Sequence, residues 1–184
     1  MSRGKVRLDT YSNAWYKPAG LFKRALWYWF NAVFFKRSWN PGSAHKRALL
    51  RLFGAHIGKG VVIKPCVNIK YPWLLSVGDY TWIGENVWID NLGKVTIGNN
   101  CCLSQGAFLL CGNHDYNKPS FDLMVRDIVL EDGVWIGARA TVCPGITAKT
   151  HSVLSVGSVA TQEMEAYFIY TGNPAQKVKE RNIE

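Results

Sequence analysis

Residues 130–160 read LEDGVWIGARATVCPGITAKTHSVLSVGSVA, and small apolar side chains recur in them every six positions, at Leu130, Ile136, Val142, Ala148, Leu154 and Ala160. Four residues after each of the first five comes another compact side chain: Val134, Ala140, Ile146, Ser152 and Ser158. A helix would show a period near 3.6 and an ordinary strand a period of 2, so neither accounts for a sustained six. Hexapeptide periods belong to parallel β-helices, in which each repeat forms one short face of a coil. The same spacing occurs earlier at Ile57–Ile63–Ile69, Val77–Ile83–Ile89 and Ile97–Leu103–Leu109. The fold class is therefore all-β, a parallel β-helix over 57–171.

The interruptions carry further information. Successive blocks begin at 57, 77 and 97, so each coil holds two residues beyond three hexads, placed at one corner. Residues 110–129 leave the rhythm altogether and are expected to form an inserted loop, where function often resides in repeat folds. Trp82, Trp88 and Trp135 fall on outward rows, which suggests a face covered by another subunit or a ligand. Residues 1–56 form a basic, aromatic-rich arm. Its segment Leu21–Phe35 and the stretch AHKRALLRLF after Ser43 are expected to be helices, with Ser43 as N-cap and Gly54 at the C′ position. Asn173-Pro174 has the N-cap and N1 signature of a short helix, so 172–184 is expected to cap the coil as one.

The net charge of +9 is unevenly spread. Residues 1–51 hold eleven Lys/Arg against Asp9 alone, whereas the remainder holds eleven against twelve acids. A neutral body without a recognition motif argues against nucleic-acid binding. The arm's apolar segment is too short to span a bilayer; its rings are expected first to pack against the body or a neighbouring subunit, with an interfacial helix, which rings flanked by basic residues suit, as the alternative or as a second role of the same helix. No apolar run opens the chain as in a signal peptide, so a cytoplasmic location is expected, with residues 1–51 available to the inner face of a membrane. The five cysteines lack the spacing of a zinc site or disulfide framework, and Cys66 and Cys101 are expected on inward rows.

The repeats, the run Gly112-Asn113-His114-Asp115-Tyr116, the segments Val134–Ala138 and Val142–Ile146, and Gly172-Asn173-Pro174-Ala175 together resemble the hexapeptide acyltransferases. Within them the chain is similar to the sugar O-acetyltransferases, nearest the branch that acetylates exopolysaccharides such as colanic acid. The likeness extends into the arm, with Trp-Tyr-Lys-Pro at 15–18 and Leu-Trp-Tyr at 26–28. It implies a left-handed coil, although parallel crossovers are normally right-handed. It also implies a homotrimer with active sites between subunits, acetyl-CoA as co-substrate, and a sugar or glycan acceptor.

Acetyl transfer needs a base, stabilisation of an oxyanion and a grip on the donor. Imidazole exchanges protons near neutral pH, and the motif around it makes His114 the candidate general base in a ternary complex. The resemblance places Asp90 where relatives hold the acceptor with Asn, and Ser76 at another acceptor contact. Asp122 and Arg126 are acceptor candidates from their place in the inserted loop. For the donor, the resemblance points to Ala138, Val156, Thr161 and Lys179, the first two through backbone groups. Gln162 and Gln176 stand where relatives carry Lys and Arg, leaving Lys177, Lys179 and Arg181 to meet phosphates. No metal is expected: a metal enzyme of the γ-carbonic anhydrase type would need several His from adjacent coils, and only His114 and His151 lie in the body. A non-catalytic scaffold anchored by the arm, and an N-acetyltransferase acting on an amino or nucleotide sugar, are the alternatives.

Overall fold

The computed structural model describes residues 4–184. Two- and three-residue strands stack into three parallel sheets, with neighbouring strands one coil apart. The first face runs through His56–Ile57, Leu75–Val77, Val95–Ile97, Ile128–Leu130 and Thr147–Ala148. The third contains Asn68–Ile69, Trp88–Asp90, Phe108–Leu110, Thr141–Val142 and Val159–Ala160. The second runs from Val62–Ile63 through Trp82–Ile83, Cys102–Leu103, Trp135–Ile136 and Val153–Leu154 to Phe168–Gly172, and ends on the antiparallel strand Ala175–Glu180.

The six-residue rows are what the coil buries. Ile63, Ile69, Ile83, Ile89, Leu103 and Leu109 are wholly enclosed, and Val61, Val67, Val87, Val134 and Ala140 fill the row four residues on. Each large aliphatic in such a stack contributes roughly 1.5–3 kcal/mol relative to exposure. Trp82, Trp88 and Trp135 point outward as their register requires, with exposures of 58%, 44% and 45%. The residue before each inward fourth position turns the corner with positive φ, as at Tyr80, Asn86, Asn100, Arg139 and His151. Cys66, with φ of 59°, is one of these corners. It is not on the inward row where the sequence reading put it, whereas Cys101 is buried there.

Helix α1 (Leu21–Phe30) continues through a π-helical turn over Asn31–Phe35, and helix α2 spans Ala44–Leu52. Gly54, at φ 99°, closes α2: its N–H bonds Arg51 O and that of Ala55 bonds Leu50 O. Those two bonds are the reciprocal pair of a glycine-terminated helix. Ser43 does not cap α2 with its side chain. Its hydroxyl instead exchanges hydrogen bonds with the N–H and carbonyl of Ile63.

The basic character of α2 meets a structural need. Carbonyls of the first coil have no preceding strand to satisfy them. The buried Lys46 ammonium donates to Ile63 O and Lys64 O, Arg47 to Val61 O, and Arg51 to Ile57 O and Gly58 O. Trp27 of α1 adds a bond from its indole N–H to Ile69 O at 2.8 Å.

The C-terminus differs from the expected helix. Residues 175–180 form a strand folded back antiparallel on Phe168–Gly172, with Asn173-Pro174 at the turn. A proline lacking its N–H suits a hairpin turn as well as a first helical turn, and here pairing with the exposed sheet edge prevails.

Candidate functional site

All irregularities of the coil collect on one edge. The extra residues of the first two coils, around Tyr71–Trp73 and Asn91–Gly93, lie between the third and first faces, and the insertion of the next coil leaves from the same corner. Asn91 is buried and ties these corners together, accepting from Tyr71 N–H at 3.0 Å and donating to Tyr71 O at 2.6 Å. The insertion is more ordered than the expected loop: Gly112–His114 pairs antiparallel with Leu123–Val125.

His114 ends the outgoing strand of this hairpin. Its Nδ1 lies 2.8 Å from Phe121 O, and its ring stacks on that of Phe121 at 4.5 Å and 9°. A carbonyl only accepts, so Nδ1 carries the proton and Nε2 of the neutral ring keeps its lone pair. Phe121 holds its carbonyl there with φ of 52°, a left-handed conformation that bulky residues rarely adopt.

The N-terminal segment runs along the same edge and walls a cleft of about 460 Å³, into which His114, Tyr11, Tyr16, Arg24, Lys70 and Tyr71 converge. Tyr11 approaches the imidazole at 5.6 Å, Tyr16 donates its hydroxyl to Leu92 O at 2.6 Å, and Arg7 N–H bonds Pro119 O at the hairpin tip. Burial, reinforced by Tyr71, Asp90 and Cys111 nearby, raises the Tyr16 phenol above its ordinary pKa. Trp73 donates its indole N–H to Pro18 O and carries Lys23 over its ring at 4.5 Å. None of these arm contacts has a periodic signature. The cues in the sequence were the two-residue slip at each corner, which marks the edge, and the family-like run Trp-Tyr-Lys-Pro at 15–18, which marks Tyr16 and Pro18 but not where they land.

Among the expected acceptor residues, Asp90 stands just behind this cleft. Its buried carboxylate pairs with Lys70 at 2.9 Å, off-axis for a directed hydrogen bond, and makes none to His114 within one chain. Ser76 lies elsewhere, outward on the first face between His56 and Thr96. Asp122 is engaged inside the hairpin by Lys118 at 3.0 Å, and hydrogen bonds from Ser120 and Lys118 lower its pKa. Arg126 extends beside the turn at Gly145.

Of the expected donor residues, Ala138 and Val156 line a second, more apolar cleft of about 500 Å³ together with Trp135 and Ile169, whereas Thr161, Lys179 and Arg181 lie outside it. The N–H groups of Ala138 and Val156 have no hydrogen-bond partner among the described residues, while Ala138 O accepts from Gly157. Lys179 lies opposite Ile169 in the terminal hairpin. Thr161 is exposed just beyond the third-face strand Val159–Ala160. Lys177 is paired with Glu165, and the Arg181 guanidinium bonds Gly133 O and His151 O. The two clefts share no residue within one chain. Among the described residues no group of three His, Cys, Asp or Glu is arranged to hold a metal ion.

No protein-family model matches the chain. It is 38% identical over 168 residues to the Escherichia coli K12 protein WcaF, named as a colanic acid biosynthesis acetyltransferase, covering 90% of this chain and 91% of that one. It is 24% identical over 147 residues to the galactoside O-acetyltransferase of the same organism, covering 78% and 72%. Among solved structures, the hexapeptide-repeat acetyltransferase VCA0836 of Vibrio cholerae complexed with acetyl-CoA superposes with a TM-score of 0.78 at 23% identity, over 88% of each chain.

Proposed function

The chain belongs to the hexapeptide-repeat acetyltransferases, and from that premise we propose that it moves an acetyl group from acetyl-CoA to a sugar hydroxyl of an exopolysaccharide or its lipid-linked precursor. The observation that carries this reading is the His114–Phe121 hydrogen bond, which leaves Nε2 as the proton acceptor in a polar cleft. Nε2 takes the acceptor's hydroxyl proton as the oxygen attacks the thioester carbonyl. The tetrahedral oxyanion is held by a backbone N–H near the hairpin. Its collapse breaks the C–S bond, and the imidazolium returns the proton to the departing CoA thiolate. Neither a metal nor an acyl-enzyme takes part.

The donor lies in the second cleft, where the unpartnered N–H groups of Ala138 and Val156 suit the amides of a pantetheine arm. Thr161 and Lys179 are the further donor-side candidates, Arg181 being engaged instead with Gly133 O and His151 O, and Ser76, Asp90, Asp122 and Arg126 are those on the acceptor side. The family resemblance implies a homotrimer, and the separation of the two clefts within one chain supports an arrangement in which the donor cleft of one subunit meets the His114 cleft of the next.

The enzyme works in the cytoplasm at the inner face of a membrane. Helix α1 turns Phe22, Leu26 and Trp29 outward with exposures of 81%, 39% and 55%, and Lys36 and Arg37 follow its π-helical turn. Such an amphipathic face with basic flanks suits an anionic lipid surface. No helix among the described residues is long and apolar enough to cross a membrane. Flotation with anionic vesicles at low and moderate salt checks the membrane contact, and absence of salt-sensitive binding would remove it. The reaction itself is tested by mass spectrometry of lipid-linked oligosaccharides incubated with enzyme and acetyl-CoA. A mass increase of one acetyl group, lost on treatment with mild base, is expected. No acetyl ester on any glycan would sink the proposal.

A further inference from the structure

The cleft that holds His114 contains a charge the chain itself does not balance. Two cations line it, Lys70 and Arg24, and no carboxylate does. Lys70 is offset by Asp90 standing behind it at 2.9 Å. Arg24, projecting from α1, forms no ion pair among the described residues, and its Nε is buried without a hydrogen-bond partner. A guanidinium does not shed its proton in proteins, so it cannot escape burial by neutralising as a lysine can. Arg24 as a whole is half-buried, and an enclosed N–H donor of a charged group left without a partner is unfavourable. The nearby basic residues of the arm illustrate the contrast: Lys46, Arg47 and Arg51 each find backbone carbonyls, and Lys23 rests on the Trp73 ring.

The geometry of the group says what would match it. A guanidinium presents pairs of parallel N–H donors, and the outer, Nη side of Arg24 is the side left open to the cleft, where such a pair fits the two oxygens of a carboxylate or phosphate. Around it stand Tyr11, Tyr16 and Tyr71, whose rings suit the carbon face of a sugar. Tyr16 has already committed its hydroxyl proton to Leu92 O, so that oxygen meets a ligand only as an acceptor. We infer that the acceptor is an anionic sugar, held through its carboxylate or phosphate by Arg24 while one of its hydroxyls meets Nε2 of His114. The inference rests on the acetyltransferase reading above and narrows it to a substrate class.

The test compares three acceptors that differ in charge: methyl glucuronide, glucose 1-phosphate and methyl glucoside. Thiol release from acetyl-CoA gives kcat/KM for each with wild type, Arg24→Gln and Arg24→Lys, folding being checked by circular dichroism. Wild type should favour at least one acidic acceptor over the neutral glucoside by roughly tenfold or more, the scale of a paired charge-assisted contact. Arg24→Gln should bring that ratio close to one, and Arg24→Lys should keep part of it. Which acidic compound wins separates a uronate from a sugar phosphate. Equal use of acidic and neutral acceptors by wild type, or a preference that survives Arg24→Gln, would overturn the inference while leaving the acetyltransferase reading intact. If none of the three is acetylated, saturation-transfer NMR with the same compounds decides: signals seen with wild type for the acidic sugars and lost in Arg24→Gln uphold the inference, and their absence with wild type overturns it.

Discussion

The carbonyl of Phe121 accepts a hydrogen bond from Nδ1 of His114 at 2.8 Å while the two rings lie stacked, so one residue sets both the tautomer and the tilt of the imidazole. Both come from the hairpin that interrupts the coil, and the regular coil merely holds its base. Replacing His114 by Ala should lower acetyl transfer by about 10²-fold or more. The thermal midpoint and acetyl-CoA binding, measured by calorimetry, should stay near wild type, since the hairpin's backbone pairing does not use the ring. Unchanged turnover would remove His114 from the reaction.

The terminal hairpin offers a contrast between two basic residues. Lys179 sits opposite Ile169 beside the donor cleft and makes no ion pair among the described residues, so Lys179→Ala should raise KM for acetyl-CoA several-fold with kcat little changed. Arg181 already ties Gly133 O and His151 O together. Arg181→Ala should therefore act on stability, by about 1–3 kcal/mol in urea unfolding. An Arg181→Ala protein of wild-type stability with a raised KM for acetyl-CoA would reassign that residue to the donor.

Lys46 should matter through pH as well as through contacts. Its ammonium is fully buried, and burial lowers its pKa from the ordinary 10.5. Lys46→Met leaves two first-coil carbonyls unmatched and should cost about 1–3 kcal/mol at neutral pH. Between the lowered pKa and 10.5 the unfolded chain binds the proton that the folded chain has released, so stability rises with pH in that window. The gap between wild type and Lys46→Met should accordingly widen as pH climbs toward 10.5. A gap that stays constant would mean the ammonium titrates alike in both states.

The thiols should divide by position in the coil. Burial pushes Cys101 up to about 11 and Cys111 up to about 12. Because thiolate is the reactive form, alkylation of the native protein at pH 8 should reach the half-buried Cys66 and Cys102 well before these two. Mass spectrometry of the native and urea-unfolded protein reads the difference. The sign for stability is opposite to that of Lys46: the native thiols keep their protons longer, so their contribution is full below pH 9 and lost above it. Rapid labelling of Cys111 in the native state would show that the coil opens there.

What could be read from the sequence divides along the same line as the architecture. Ile63, Leu103 and Ile136 announce their inward rows because each hexad obeys a local rule, and Gly54 marks the end of α2 for an equally local reason, its φ of 99°. Asn173-Pro174 misled because its signature is shared by helix starts and turns, and the choice was made by a sheet edge elsewhere in the chain. The walls of the His114 cleft were hardest to foresee. Tyr16 reaches Leu92 O across 76 residues, and Arg24 enters the cleft from a helix whose other side covers the coil. Such contacts depend on where the arm lands, which no repeat encodes.

A parallel coil of this kind has no intrinsic length: each turn offers the next the same ladder of backbone groups, and nothing in the repeat itself says stop. The row of cations on α2 supplies that instruction at one end, because carbonyls already bonded to Lys46, Arg47 and Arg51 cannot receive a strand from another molecule. The folded-back strand at Ala175–Glu180 covers the edge of the second face at the other. The arm that walls the His114 cleft is thus also a terminator, and it holds a sequence built for indefinite growth to a discrete enzyme, not a filament.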